Sequence, residues 1–242
     1  MTTTREHLDL MLFSQDFSAG ESSSQHRLET VAAAYAFAEE GIAVISDLKE
    51  KRSVIFYGAL GDTLGIAPSG TVHHLDSIWE EELLSCIPEK DLEEKQLLEI
   101  RLFDFVGKRG LNWILDSVLP MKDSQGEIRP VRHRIRYFPE GESIRYTLCL
   151  YNPAPVSSDA VFCDLLSGRE VPTEKVGTND ILSEREAEVL HLIDNGYSSK
   201  MIASALGISV HTVSRHRQNI LSKFRAANSA QACKIAKGLH IF

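Results

Sequence analysis

Ile181 to Phe224 reads ILSEREAEVLHLIDNGYSSKMIASALGISVHTVSRHRQNILSKF, and Asn228 to Phe242 continues NSAQACKIAKGLHIF. The spacing predicts three short helices in series. Ser183, with Glu186 three residues later, is a capping box placed just before Val189, Leu190 and Ile193. Asn195-Gly196 stops that helix, because a left-handed residue is easily accommodated there. A second helix starts after Ser198 or Ser199 and runs through Met201, Ile202, Ala203 and Leu206 to Gly207. The small Ala203 lets another helix approach, and Gly207 supplies a tight turn between helices. Ser209 caps a third helix that continues at least to Phe224.

Projected at about 3.6 residues per turn, the third helix has two different sides. Val213, Ile220, Leu221 and Phe224 fall on the side that must face the first two helices. His211, Ser214, Arg215 and Gln218 fall on another, at spacings i, i+3, i+4 and i+7. Arg can donate a bidentate pair to guanine and Gln can pair with adenine, so this stripe suits base edges in a major groove. Lys200, Ser209, Thr212, Arg217 and Lys223 cap or flank the stripe, where phosphate oxygens would lie. His216 lies near the apolar side and is expected to be a packed, hydrogen-bonded histidine.

Leu182 to Ala236 resembles the DNA-binding domain of LuxR-type transcription regulators. The residues that carry the resemblance are Leu182 to Glu186, Val189-Leu190, Gly196, Ile202-Ala203, Leu206, Ile208-Ser209, Thr212-Val213, His216 and Ile220 to Phe224. It implies a four-helix helix-turn-helix domain, recognition of double-stranded DNA by the third helix, and dimer contacts through the fourth. Ser214 stands where the family often has a basic residue, and Ser229 or Ala230 near where it often has Arg.

The 242 residues suffice for two domains with separate cores. Formal net charge is −8, from 26 Lys and Arg against 34 Asp and Glu. From Asp180 onward there are eight basic and five acidic residues, leaving 18 basic and 29 acidic for the rest. Positive charge is thus concentrated in the segment that would meet phosphate. A net excess of three suits weak binding by one copy, and a homodimer would double the phosphate contacts. Cys86, Cys149, Cys163 and Cys233 show no zinc-finger spacing and read as thiols in a reducing cytosol. No stretch reads as a signal peptide or bilayer span, so a cytoplasmic location without membrane contact is expected.

Upstream, residues 1–27 read as a polar, poorly packed leader with a short helical stretch near Leu8 to Phe13. An Ala-rich helix, Leu28 to Glu40, is stopped by Gly41. Ile42 to Ser46 and Ser53 to Tyr57 form a hairpin around the charged Asp47 to Arg52. Gly58 to Gly70 is turn material, and Leu75 to Val106 is helical with a break at Pro88. Three more strands, Asn112 to Pro120, Arg129 to Phe138 and Ser143 to Tyr151, turn at Asp123-Ser124-Gln125-Gly126 and at Pro139-Glu140-Gly141-Glu142. In the middle one, Arg132, Arg134 and Arg136 form a basic face, read as an exposed surface paired with local acids. The alternative is a surface for an anion or an acidic partner.

This element order resembles a PAS sensor domain over residues 28–153. Gly41 to Ile45, Leu64-Gly65, Pro88 to Leu92 and Pro120 to Glu127 carry the likeness. It implies an α+β domain, a five-stranded antiparallel sheet with helices over one face and a possible ligand pocket. Ile55, Phe56, Tyr57, Trp79, Phe103, Phe105 and Trp113 are candidate lining residues, with core packing as the other role for each. No Asn-Cys-Arg run marks a flavin photosensor, and His73-His74 and His133 lack supporting ligands, so no cofactor or metal is expected. Residues 154–179 read as a linker with a short docking strand, and 180–242 as the DNA-binding domain.

These features point to a dimeric regulator whose N-terminal domain senses a small ligand or partner. The alternative is an N-terminal interaction or dimerisation module without a small ligand. No early acidic cluster marks a phosphorylated receiver domain. Paired carboxylates, a nucleophile triad, a phosphate loop and metal spacing are absent, so catalysis is not expected.

Overall fold

Strand β1 (Ile42–Asp47) is buried along its whole length and pairs with β2 (Arg52–Tyr57), Ile42 opposite Tyr57 and Asp47 opposite Arg52. Asp47 Oδ1 accepts the amides of Lys49 and Glu50, which closes the turn between them. The computed structural model describes residues 4–17, 24–154, 159–173, 182–224, 226–238 and 241. Two compact units divide the chain: Leu12–Thr173, and Met1–Met11 with Glu174–Phe242.

The first unit is built on β4 (Trp113–Lys122), β5 (Ile128–Glu140) and β6 (Ser143–Pro153), with β1 and β2 beside them. Three shorter strands, β3 (Val72–Leu75), β7 (Val161–Asp164) and β8 (Glu170–Pro172), complete one antiparallel sheet. Its order is β3-β2-β1-β6-β5-β4-β7-β8, so it holds eight strands rather than the expected five. The five expected strands are the inner ones. The additions are short strands at the two ends of the sheet whose few residues give little periodic signal, two of them inside the stretch read as a linker.

Both faces are covered, not one. Helix α2 (Ser24–Ala38) sets Leu28, Ala32 and Ala36 against Ala43, Ile45, Tyr146 and Leu148. Alanines at those positions let the helix lie close to the sheet. Gly58 enforces this, since a Cβ there would lie 2.4 Å from the Ala36 carbonyl oxygen. The opposite face carries Val44, Cys149, Ile135 and Tyr137 by register and is met by α5 (Glu89–Arg109). Pro88 occupies the N-cap of α5, with Glu89 and Asp91 in its positive first turn. Two further helices, α3 (Ala59–Leu64) and α4 (Glu81–Leu84), are single turns or little more.

The expected leader is not loose where it is described. Gln15 donates to and accepts from the backbone of Ile144, and Ser143 donates to the Asp16 carbonyl. Helix α1 (Thr4–Phe13) buries Leu8, Met11 and Leu12.

In the second unit α6 (Glu184–Asp194), α7 (Ser199–Leu206), α8 (Val210–Lys223) and α9 (Ser229–Gly238) follow in series. Their shared core holds Leu182, Val189, Leu190, Ile202, Val213, Ile220, Phe224 and Ala236. None of the described helices is long and apolar enough to cross a membrane.

Candidate nucleic-acid interface

Caps fix the four helices before packing does. Ser183 Oγ accepts the Glu186 amide while the Glu186 carboxylate accepts the Ser183 amide at 2.8 Å, the reciprocal capping box. The same carboxylate takes Lys223 Nζ at 2.6 Å, so the start of α6 is tied to the end of α8. Burial acts to raise this carboxyl, but Lys223 and the Ser183 donors outweigh it and hold it below the ordinary glutamate value. Ser198 caps α7 by accepting the Met201 amide, and Gly207 ends it in the left-handed region at φ +65°. Arg185 donates to the Leu206 carbonyl at 2.5 Å and holds that turn from α6.

Ser209 accepts the Thr212 amide at 3.0 Å and its hydroxyl lies 2.8 Å from Thr212 Oγ1. This pair is engaged at the N-terminus of α8 and leaves the helix's positive end facing outward. Beyond it, Val213 and Ile220 are buried, whereas His211, Ser214, Arg215 and Gln218 are all exposed. The four lie on one side of α8, as its spacing requires. Lys200, in the first turn of α7, is exposed as well.

The flanking cations are placed differently from free phosphate ligands. Arg217 is half-buried and donates to Ser199 Oγ at 3.1 Å and Ser229 Oγ at 2.9 Å, bracing α8 against α7 and α9. Lys223 is engaged by Glu186, although its side chain stays 42% exposed and could turn outward. His216 is half-buried as expected, but its Nδ1 has no hydrogen-bond partner. Val210 and Met201, which the sequence reading did not single out as site residues, are exposed. Their position in the first turns of α8 and α7, ahead of the buried repeat, is the signal that could have found them.

In the first unit the arginine row on β5 is closed by its neighbours. Arg132 makes a two-pronged pair with Asp116, as expected, whereas Arg134 and Arg136 rest on aromatic rings rather than acids. Arg134 also donates to Tyr35 Oη at 2.8 Å. A cavity of about 320 Å³ lies elsewhere in this unit, lined by Ile55, Tyr57, His73, Trp79 and Glu80 among others. Of the seven candidate lining residues only Ile55, Tyr57 and Trp79 reach it. Phe56 packs towards α2, Phe105 stacks with Trp113 and Phe162, and Phe103 meets Tyr137 edge-on.

Residues 180–236 match the family described as bacterial regulatory proteins, luxR family, and form a helix-turn-helix domain of that family. A response regulator protein, VraR of Staphylococcus saprophyticus, is 40% identical over 91 residues, 38% of this chain and 41% of that protein. VraR of Staphylococcus aureus is 49% identical over 53 residues, 22% of this chain and 25% of that protein. The chain therefore spans less than half the length of these curated relatives. Among solved structures, the phage VqmA–DPO complex is 17% identical with a TM-score of 0.34, covering 91% of this chain and 92% of that one. Escherichia coli SdiA is 15% identical with a TM-score of 0.27, covering 98% and 97%.

Proposed function

We propose that the chain is a DNA-binding transcription regulator that works as a homodimer in the cytoplasm, its N-terminal unit governing a C-terminal reading head. The observation that carries this reading is the outward stripe of α8: His211, Ser214, Arg215 and Gln218 exposed on a helix whose other side is core. In this reading Arg215 and Gln218 meet base edges, and Val210 adds an apolar contact suited to a thymine methyl. Lys200, Ser209 and Thr212 meet the backbone from the positive end of α8, and Lys223 joins them by leaving Glu186. Arg217 serves by holding the three helices in register, and His211 and Ser214 complete the stripe.

The inner strand order β2-β1-β6-β5-β4 and the cavity between β2, β3 and α4 support a PAS-like sensor that takes a small ligand. The cavity is large enough for a compact organic molecule, which favours this over a pure interaction module.

Selection of binding sites from randomised duplexes with the full chain, followed by titration, tests the central reading. Arg215→Ala should weaken the selected site by about 1–3 kcal/mol and leave unrelated DNA nearly unchanged. Equal loss on both would make Arg215 a backbone contact, and failure to enrich any duplex would defeat the proposal.

A further inference from the structure

On the sheet face covered by α5, several polar groups are buried together with few partners. His133 is fully buried, stacks on Tyr151 at 4.9 Å, and has Nδ1 3.5 Å from Ser117 Oγ. Its Nε2 has no hydrogen-bond partner and lies 3.9 Å from Glu99 Oε1. A buried nitrogen with no hydrogen-bond partner calls for an explanation. Cys149, on the neighbouring strand β6, points to the same place. One donor atom each from Glu99, His133 and Cys149 lie within 4.8 Å of one another, and all three residues are buried.

We propose that Glu99, His133 and Cys149 bind one divalent ion of the zinc class through a carboxylate, an imidazole and a thiolate. Such an ion accepts this mixture of nitrogen, sulfur and oxygen donors in a tetrahedral arrangement, and the fourth position falls to a donor from outside the trio. Ser117 Oγ, 3.5 Å from Nδ1, is placed to orient the His133 ring from its other side. The His133 imidazole offers Nε2, which has no hydrogen-bond partner of its own. At Cys149, burial first and then Glu80 push the thiol well up. Coordination must therefore expel the thiol proton to solvent, leaving both electrons of the S–H bond on sulfur for the metal.

Charge also balances. Lys95 holds Glu99 at 2.6 Å, and the fully buried Glu80 lies close enough to feel both. Glu99 and the Cys149 thiolate bring two negative charges to a dication, and Lys95 stays paired with Glu99. The site does not depend on the DNA-binding reading.

The test uses the full chain, reduced, stripped with a chelator and titrated with cobalt(II). One equivalent should develop thiolate-to-cobalt charge-transfer absorption, and zinc should remove it. Cys149→Ser should abolish the band, Cys233→Ser in the other unit should keep it, and Ser117→Ala should weaken binding about tenfold. Since Cys149→Ser could disturb folding, X-ray absorption of the zinc-loaded natural chain gives a second readout, with one sulfur expected in the metal shell. A missing band, a band that survives Cys149→Ser, or a shell of nitrogen and oxygen alone would overturn the site, the last assigning the zinc to surface histidines.

Discussion

Lys95 and Glu99 form an ion pair at 2.6 Å with side chains 2% and 5% exposed. Taking both charges out of water costs several kcal/mol each, and their attraction roughly offsets it, so the pair adds little net stability. Breaking it is another matter. Glu99→Gln leaves a buried ammonium beside an amide and should cost about 3–5 kcal/mol. Lys95→Met should cost a similar amount, because Glu99 is then stranded with Glu80. The double change Lys95→Met with Glu99→Leu removes both charges and should fall within about 1–2 kcal/mol of the natural chain. The singles therefore exceed the double by several kcal/mol in a double-mutant cycle. Urea unfolding followed by tryptophan emission, in chelator, measures this without interference from the other unit. The chain has two tryptophans, Trp79 and Trp113, and both lie in Leu12–Thr173. A double variant as unstable as the two singles summed would refute the reasoning and assign the loss to packing alone.

Gly207→Ala forces a Cβ into the left-handed region but meets no atom within 4 Å, so helical content followed by heating should show a loss of about 1–2 kcal/mol. Lys200→Ala should lower the salt slope of DNA binding by about one, whereas Arg217→Ala should lower the melting temperature and leave the slope unchanged. Burial presses His7 down to about 4, below its ordinary value, so the folded chain is stabilised above the unfolded value and loses stability as pH falls through the window between them. The unfolding free energy from neutral to about pH 4 should fall more steeply for the natural chain than for His7→Phe, by on the order of 3 kcal/mol in total.

The helix-turn-helix unit was legible because its signals are local. Ser183, Ser198, Ser209, Gly196 and Gly207 each mark a helix end within a few residues, and the structure uses every one of them. The inner five strands were legible for a similar reason, since hairpin turns and alternation are read over short windows. The edge strands were not, being four residues or fewer for β3, β7 and β8. The burial of Lys95, Gln96 and Glu99 is not legible either. In a helix as charged as α5 they look like a solvated face, yet all three are buried. Tertiary pairing decides that, and no helical period reports it. The convergence of Glu99, His133 and Cys149 is invisible for the same cause, because three separate elements carry them. Arg217 and Lys223 were legible as cations near the stripe, but their partners Ser199, Ser229 and Glu186 come from other helices.

Glu186 joins two helix ends that lie 37 residues apart in the chain. If DNA draws Lys223 away, the carboxylate loses its main counterweight and the opening turn of α6 is left to the Ser183 hydroxyl and amide alone. Docking at one corner of the domain would then loosen the first turn of α6, a helix end remote in sequence from the lysine that moved.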